Sequence, residues 1–338
     1  MSGTRSPLPC LASIAASGDG SDLPRLPTGP GFLAQPLPAL DDREGSRIPA
    51  GLPPVVDAHV HVFPHRLSQA IWRWFDQYGW PIRYRLGAPE VVEYLLERGV
   101  ERVVALTYAH KPGIARSLND FVVELCRAEP RVLGCATVFP GESGAIEILG
   151  DAFAAGLVGV KLHCHVQGMS VTDDCFGPIY ECCVRHDRPA VIHAGREPKS
   201  PGYKTDPHAL CSVDRVDQVL REHPRLRLVV PHLGADEFDG YARLLERHAG
   251  LWLDTTMAVA GYFPTQVPWE LLDAFPGRIL YGSDFPNLPF AWDRELTRIV
   301  ERRLSADSLQ ALLGATALRL FGGSMPPCVS AAARSAAD

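Results

Sequence analysis

The sequence predicts an α/β fold, a (β/α)8 TIM barrel, on three observations. Eight short apolar or β-branched runs recur over roughly 270 residues, the usual size of such a barrel. Amphipathic segments of helical period separate them, many closing at Gly or just before Pro, as helix stops do. The first run ends in histidines rather than a glycine-rich phosphate turn, which sets aside the doubly wound open sheet.

In order, the expected strands are "VVDAHVH" (55–61), "RVVALTY" (102–108), "VLGCATV" (132–138), "LVGVKLH" (157–163), "PAVIHAG" (189–195), "LRLVVPHLG" (226–234), "LWLDTT" (251–256) and "RILYGSD" (278–284). Fully apolar strands alternating with amphipathic helices imply a parallel sheet covered on its outside. Residues 64–87 carry three tryptophans and two tyrosines and exceed a simple first loop. They read as an aromatic-rich insertion beside the barrel mouth. Residues 1–50, rich in Pro, Gly, Ser and Ala, read as a disordered arm; the barrel spans 54–322, and 323–338 read as a disordered tail.

Hydrophobic residues make up 46% and charged residues 21%, which suits a globular chain with a full core. A net charge of -6 without a basic patch argues against nucleic acid, so an acidic substrate would have to meet local arginines. Nine scattered cysteines with no CxxC pair fit reduced thiols in the cytoplasm better than a disulfide framework. No run reaches the length of a membrane helix, and "PLPCLASIAAS" is too broken by proline for an export signal. The expected partner is a small molecule, in a cytoplasmic protein that could also pair with itself as a homo-oligomer.

Barrel active sites gather at the C-terminal ends of the strands. In "DAHVHVFP", strand alternation points His59 and His61 one way and Ala58 and Val60 the other. Later strand ends carry His110, then Lys161, His163 and His165, then His193, His232 and Asp284. His186, His223 and His248 stand instead near helix C-termini, where an imidazole serves the last carbonyls, and they read as structural. Unpaired buried imidazoles are costly. A divalent cation would satisfy the set, zinc first and manganese as the alternative.

The stretches "DAHVHVFP", "VKLHCH", "VIHAG", "PHLG" and "YGSDFP", in this order on these strands, resemble the amidohydrolase superfamily. The likeness is to its amidohydrolase-related branch, which contains aminocarboxymuconate-semialdehyde decarboxylase and related decarboxylases and hydrolases. It covers about residues 54 to 322, including the closing "LLGATALRLFG"; the asparagine often seen there is missing, with Ala315 and Thr316 nearby. The resemblance implies metal ligands His59, His61, His193 and Asp284, with Asp284 and His232 as catalytic residues. It implies one ion rather than two. Lys161 stands where two-metal members carry a carbamylated bridging lysine, and His163 shares its parity, so both are second-metal or substrate-facing candidates. Arg196 is a candidate for a substrate carboxylate. Phe63, Trp80, Tyr203 and Tyr262 are candidates for an aromatic wall.

The leading expectation is a hydrolase in which a metal-activated water attacks an ester, lactone or amide carbonyl. Asp284 and His232 would move the proton. Non-oxidative decarboxylation of an aromatic or unsaturated carboxylic acid uses the same residues and is the alternative. A metal-binding module without turnover is the third reading.

Overall fold

The computed structural model describes residues 39–263 and 266–322. Its strands are β1 (Val56–His61), β2 (Arg102–Leu106), β3 (Val132–Gly134), β4 (Ala136–Thr137), β5 (Val160–His163), β6 (Ala190–His193), β7 (Leu228–Val230), β8 (Leu251–Asp254) and β9 (Ile279–Leu280). Neighbours run parallel, in the order β1-β2-β3 and then β4 through β9. β3 and β4 are two halves of the third barrel strand, parted at Cys135: β3 pairs with β2 and β4 with β5. The ring closes where Ala58 N donates to Tyr281 O at 2.9 Å and His61 N donates to Phe285 O at 2.8 Å. The predicted eight-stranded barrel is what forms.

Burial on both faces explains the near-continuous apolar strands. Inside the ring, Val56, Ala58, Val104, Leu106, Cys135, Val191, Val229 and Leu280 make one cluster, closed below by Leu318 and Phe321 of the last helix (Thr316–Phe321). Outside, Val60, Val103, Val160, Leu162, Ile192 and Val230 pack with helix residues such as Val216 and Val219. Lys161 and His163 alternate with Val160 and Leu162, and therefore face inward.

Simple alternation fails in β1. Its register runs from Asp57 opposite Val103 to Val60 opposite Ala105, so β1 holds one extra residue. This bulge puts Ala58 in the interior cluster beside Val56 and leaves Val60 outside, correcting the expectation that Ala58 and Val60 share a face. Bulges next to active sites re-aim side chains. Here the bulge lets His59 and His61 both enter the mouth.

The insertion forms helix α1 (His65–Tyr78), followed by an irregular run into helix α2 (Ala88–Glu97). His186, His223 and His248 each stand at a helix C-cap, and His248 Nε2 lies 2.7 Å from Asp217. The seven cysteines among the described residues form no disulfide. None of the described helices is long and apolar enough to cross a membrane.

Residues 39–50 overturn part of the arm assignment. Ala39 is buried, Glu44 takes hydrogen bonds from Arg83, Tyr84 and Tyr94, and Asp42 pairs with Arg294 at 2.7 Å. Trp292 Nε1 donates to Gly45 O at 2.9 Å. A few directed polar contacts hold this segment, and composition does not register such contacts. Residues 1–38 and the expected tail, 323–338, lie outside the described residues.

Candidate metal centre

Three side chains from the two strands that close the ring meet at the mouth. Asp284 Oδ1 lies 3.1 Å from His61 Nε2 and 3.4 Å from His59 Nε2, and the three ligand atoms fall within 4.8 Å of one another. All three residues are buried. Asp284 reaches this position with a left-handed backbone, φ +71°. The preceding Ser283 is tied to Asp57, which accepts from Ser283 N at 3.0 Å, from Ser283 Oγ at 2.5 Å and from His59 N at 3.1 Å. Burial pushes the Asp57 carboxyl up to about 7, against these hydrogen bonds.

The proton positions follow from the partners. His59 Nδ1 lies 2.8 Å from an Asp254 carboxylate oxygen, which can only accept, so Nδ1 carries the proton. Nε2 then presents a lone pair towards the carboxylate of Asp284. Two acceptors facing each other are relieved by a cation, and a carboxylate-supported histidine is the usual partner of a transition metal. Burial, then the Lys161 charge, lowers His59 to about 4 and keeps it neutral. Burial opposes ionisation of Asp284, but the hydrogen bond and charge of His61 hold it well below the usual carboxylate range. Two imidazole nitrogens and an ionised carboxylate fit one divalent ion.

A second group of imidazoles adjoins the first. His193 and His163 stack at 4.3 Å and 7°. His165 lies on a short helix (Cys164–Gln167) rather than on the strand, 4.4 Å from the His193 ring, and its Nε2 donates to Gly195 O at 2.8 Å. His193 Nδ1 is 3.2 Å from His232 Nε2. His193 therefore stands beside the three-ligand group and is not one of its members. Burial and neighbouring imidazoles hold His163 and His193 well below their ordinary range, and burial also lowers His232. Lys161 Nζ lies 3.4 Å from His59 Nε2, fully buried, and burial lowers it to about 8.

Arg196 does not reach the site. Its Nε pairs with Asp236 at 2.9 Å and with Glu237 at 3.4 Å, and it is absent from the cavity wall. Two acidic side chains of the next loop hold the guanidinium, so in this structure it is paired within the protein.

Above the imidazoles lies a cavity of about 360 Å³ between α1 and the loop after β6. His61, His163, His165, His193, His232 and Asp284 face it at one end, and Trp74, Phe75, Trp80, Tyr108 and Tyr203 form its aromatic walls. Lys204 and His110 also line it. Of the expected wall residues, Trp80 and Tyr203 are present. Phe63 lines a smaller neighbouring cavity with Trp72 and Leu86, and Tyr262 packs against Phe263 and Phe290.

The Amidohydrolase family model matches residues 56–323. This chain belongs to that family. As an amidohydrolase it shares its fold with solved structures of low identity. A 5-carboxyvanillate decarboxylase from Novosphingobium aromaticivorans, complexed with manganese, aligns at 17% identity and TM-score 0.57, covering 84% of this chain and 99% of that one. A probable 2-pyrone-4,6-dicarboxylic acid hydrolase from Acinetobacter baumannii, with citric acid bound, aligns at 16% and 0.54, covering 80% and 100%. A 4-oxalomesaconate hydratase from Rhodopseudomonas palustris aligns at 18% and 0.53, covering 79% and 95%. No curated protein matches the chain.

The sequence motifs of this amidohydrolase do not single out Asp254, Asp57, Tyr108 or Lys204, which the structure places at or behind the site. Asp254 left a usable signal: it is the one acidic residue in "LWLDTT", close to the C-terminal end of a barrel strand. Asp57 sits two residues before His59, where its role shows only once the ring closes on Ser283.

Proposed function

We propose that this amidohydrolase hydrolyses an ester, lactone or amide carried on a planar, unsaturated small molecule. The observation that carries this reading is the His232 ring. Its Nδ1 donates to Thr256 O at 2.8 Å, so Nε2 faces the cavity as a lone pair beside the three-ligand group. A divalent ion held by His59, His61 and Asp284 would supply Lewis acidity to the carbonyl oxygen. In this reading His193 is a fourth donor. His232 Nε2 accepts a proton as the nucleophile adds and returns it to the leaving atom, with Asp284 sharing that work. The aromatic walls orient a flat substrate and exclude water. The free cysteines accord with a cytoplasmic protein.

Decarboxylation of an aromatic or unsaturated acid is the second reading. Lys204 favours it, as a cation on the cavity wall that could meet a carboxylate. One experiment separates the two. The enzyme is incubated in ¹⁸O-labelled water with lactones, esters, amides and aryl carboxylic acids. Label in the organic product acid marks hydrolysis, whereas released carbon dioxide with an unlabelled organic product marks decarboxylation. Either activity should fall by about two to four powers of ten in His232→Ala and Asp284→Asn. Parent-rate turnover in both variants would overturn the mechanism.

A further inference from the structure

We propose that Asp254 is the positioning residue of this centre, one carboxylate that sets the ligating face of His59 and the placement of His232 together. The inference concerns the metal centre and stands whichever reaction the centre performs. Asp254 ends β8 and is 1% exposed. Its Oδ2 accepts from His59 Nδ1 at 2.8 Å, and its Oδ1 accepts from the backbone N–H of His232 at 3.1 Å. One side chain thus spans the first and sixth barrel strands from the end of the seventh.

The need for such an anchor is visible in the backbone. His232, Leu233 and Gly234 have φ values of +58°, +53° and +76°. Non-glycine residues in the left-handed region are strained and persist only where their surroundings enforce them. The end of β8 enforces this one twice, through Asp254 to the His232 backbone and through Thr256 O to the His232 ring at 2.8 Å. Glu295 braces the following turn from behind, accepting from Met257 N at 2.8 Å and Val259 N at 3.2 Å. His59 then turns Nε2 towards Asp284 and His232 turns Nε2 towards the cavity, with ring centroids 6.0 Å apart.

Only a carboxylate can serve both partners, because both are donors. In Asp254→Asn the amide has one accepting oxygen. If that oxygen keeps the His232 N–H, the amide NH2 meets His59 Nδ1, which must give up its proton; Nε2 then carries it and cannot ligate. If the amide turns over, His59 is kept and the NH2 opposes the His232 N–H, freeing the turn. Either orientation breaks one of the two bonds.

The test uses the full chain with ¹⁵N-labelled histidine. Metal-free protein is read by two-bond ¹⁵N–¹H correlation, which reports the tautomer of each imidazole, with His59 assigned from His59→Gln. Zinc affinity is then measured by chelator competition. The parent should show His59 as the Nδ1–H tautomer. Asp254→Asn should invert it or shift the His232 signals, and should weaken zinc by about ten- to a hundredfold, the usual worth of such a partner. Glu295→Gln, which removes a buried carboxylate touching only backbone, should lower the melting temperature without inverting His59. A parent His59 found as the Nε2–H tautomer would overturn the proposal even if Asp254→Asn failed to fold. So would an Asp254→Asn protein with both histidine signals and zinc affinity unchanged.

Discussion

His193 Nδ1 and His232 Nε2 lie 3.2 Å apart, and the other nitrogen of each ring is held by a backbone carbonyl: Glu197 O at 3.2 Å for His193 and Thr256 O at 2.8 Å for His232. A carbonyl only accepts, so each outer nitrogen keeps its proton and the two facing nitrogens are both lone pairs. The contact is repulsive until a proton or a cation serves it. His59 Nε2 is presented as a further lone pair in the barrel mouth, 3.4 Å from Lys161 Nζ.

That arrangement predicts a graded response to losing histidines. His193→Gln should weaken zinc binding by at least about tenfold and leave it measurable, because His59, His61 and Asp284 still converge. His61→Ala should remove binding at micromolar zinc. Chelator competition at neutral pH checks both, and equal affinities for the parent and His193→Gln would remove His193 from the donor set.

Burial of neutral imidazoles also sets a pH dependence. His59 is lowered from an unfolded value of 6.5 to about 4, and His163, His193 and His232 are lowered too. Between those values the unfolded chain binds more protons than the folded one, so stability falls as pH drops below 6.5. His59 alone accounts for up to about 3 kcal/mol of that loss. Asp57, raised from 3.8 to about 7, acts in the opposite sense, since there the folded state binds the extra proton as pH falls. Urea unfolding of metal-free protein at pH 7 and pH 5 should therefore show lower stability at pH 5. Asp57→Asn, which loses the opposing contribution, should show a steeper fall. A flat profile in both proteins would contradict these buried charge states.

Gly282 offers a steric test. A Cβ there would lie 2.6 Å from Thr256 Oγ1 and 2.8 Å from His59 Cβ, so Gly282→Ala must push on a metal ligand. Overpacking of this kind costs about 1–3 kcal/mol. The variant should melt lower and bind zinc more weakly than the parent, as read by calorimetry and the same competition assay. An alanine accepted with no change in either would mean that the strand ends are looser than this packing requires.

The barrel was legible because each of its strands is an apolar run between helical periods, and the metal histidines because they end those runs. What escaped the sequence depended on direction rather than type. Arg196 follows His193 closely enough to suggest a substrate contact, but Asp236 and Glu237, which hold it, lie forty residues downstream. The bulge in β1 is invisible in "DAHVH", since an extra residue shows only against the register of β2. Glu44 looked like part of a loose segment because its partners, Tyr84 and Tyr94, come from beyond the first strand. Strand parity groups His165 with Lys161 and His163, although the chain has already turned into a helix at Cys164.

His59, His61 and Asp284 are placed to hold one divalent ion. Plasma mass spectrometry of protein loaded with zinc and then dialysed tests this placement. The expected result is about one zinc per chain for the parent, and a small fraction of that for His59→Ala and for His61→Ala, each shown to be folded by circular dichroism. A folded parent that retains no zinc, or folded variants that retain it fully, would contradict that placement.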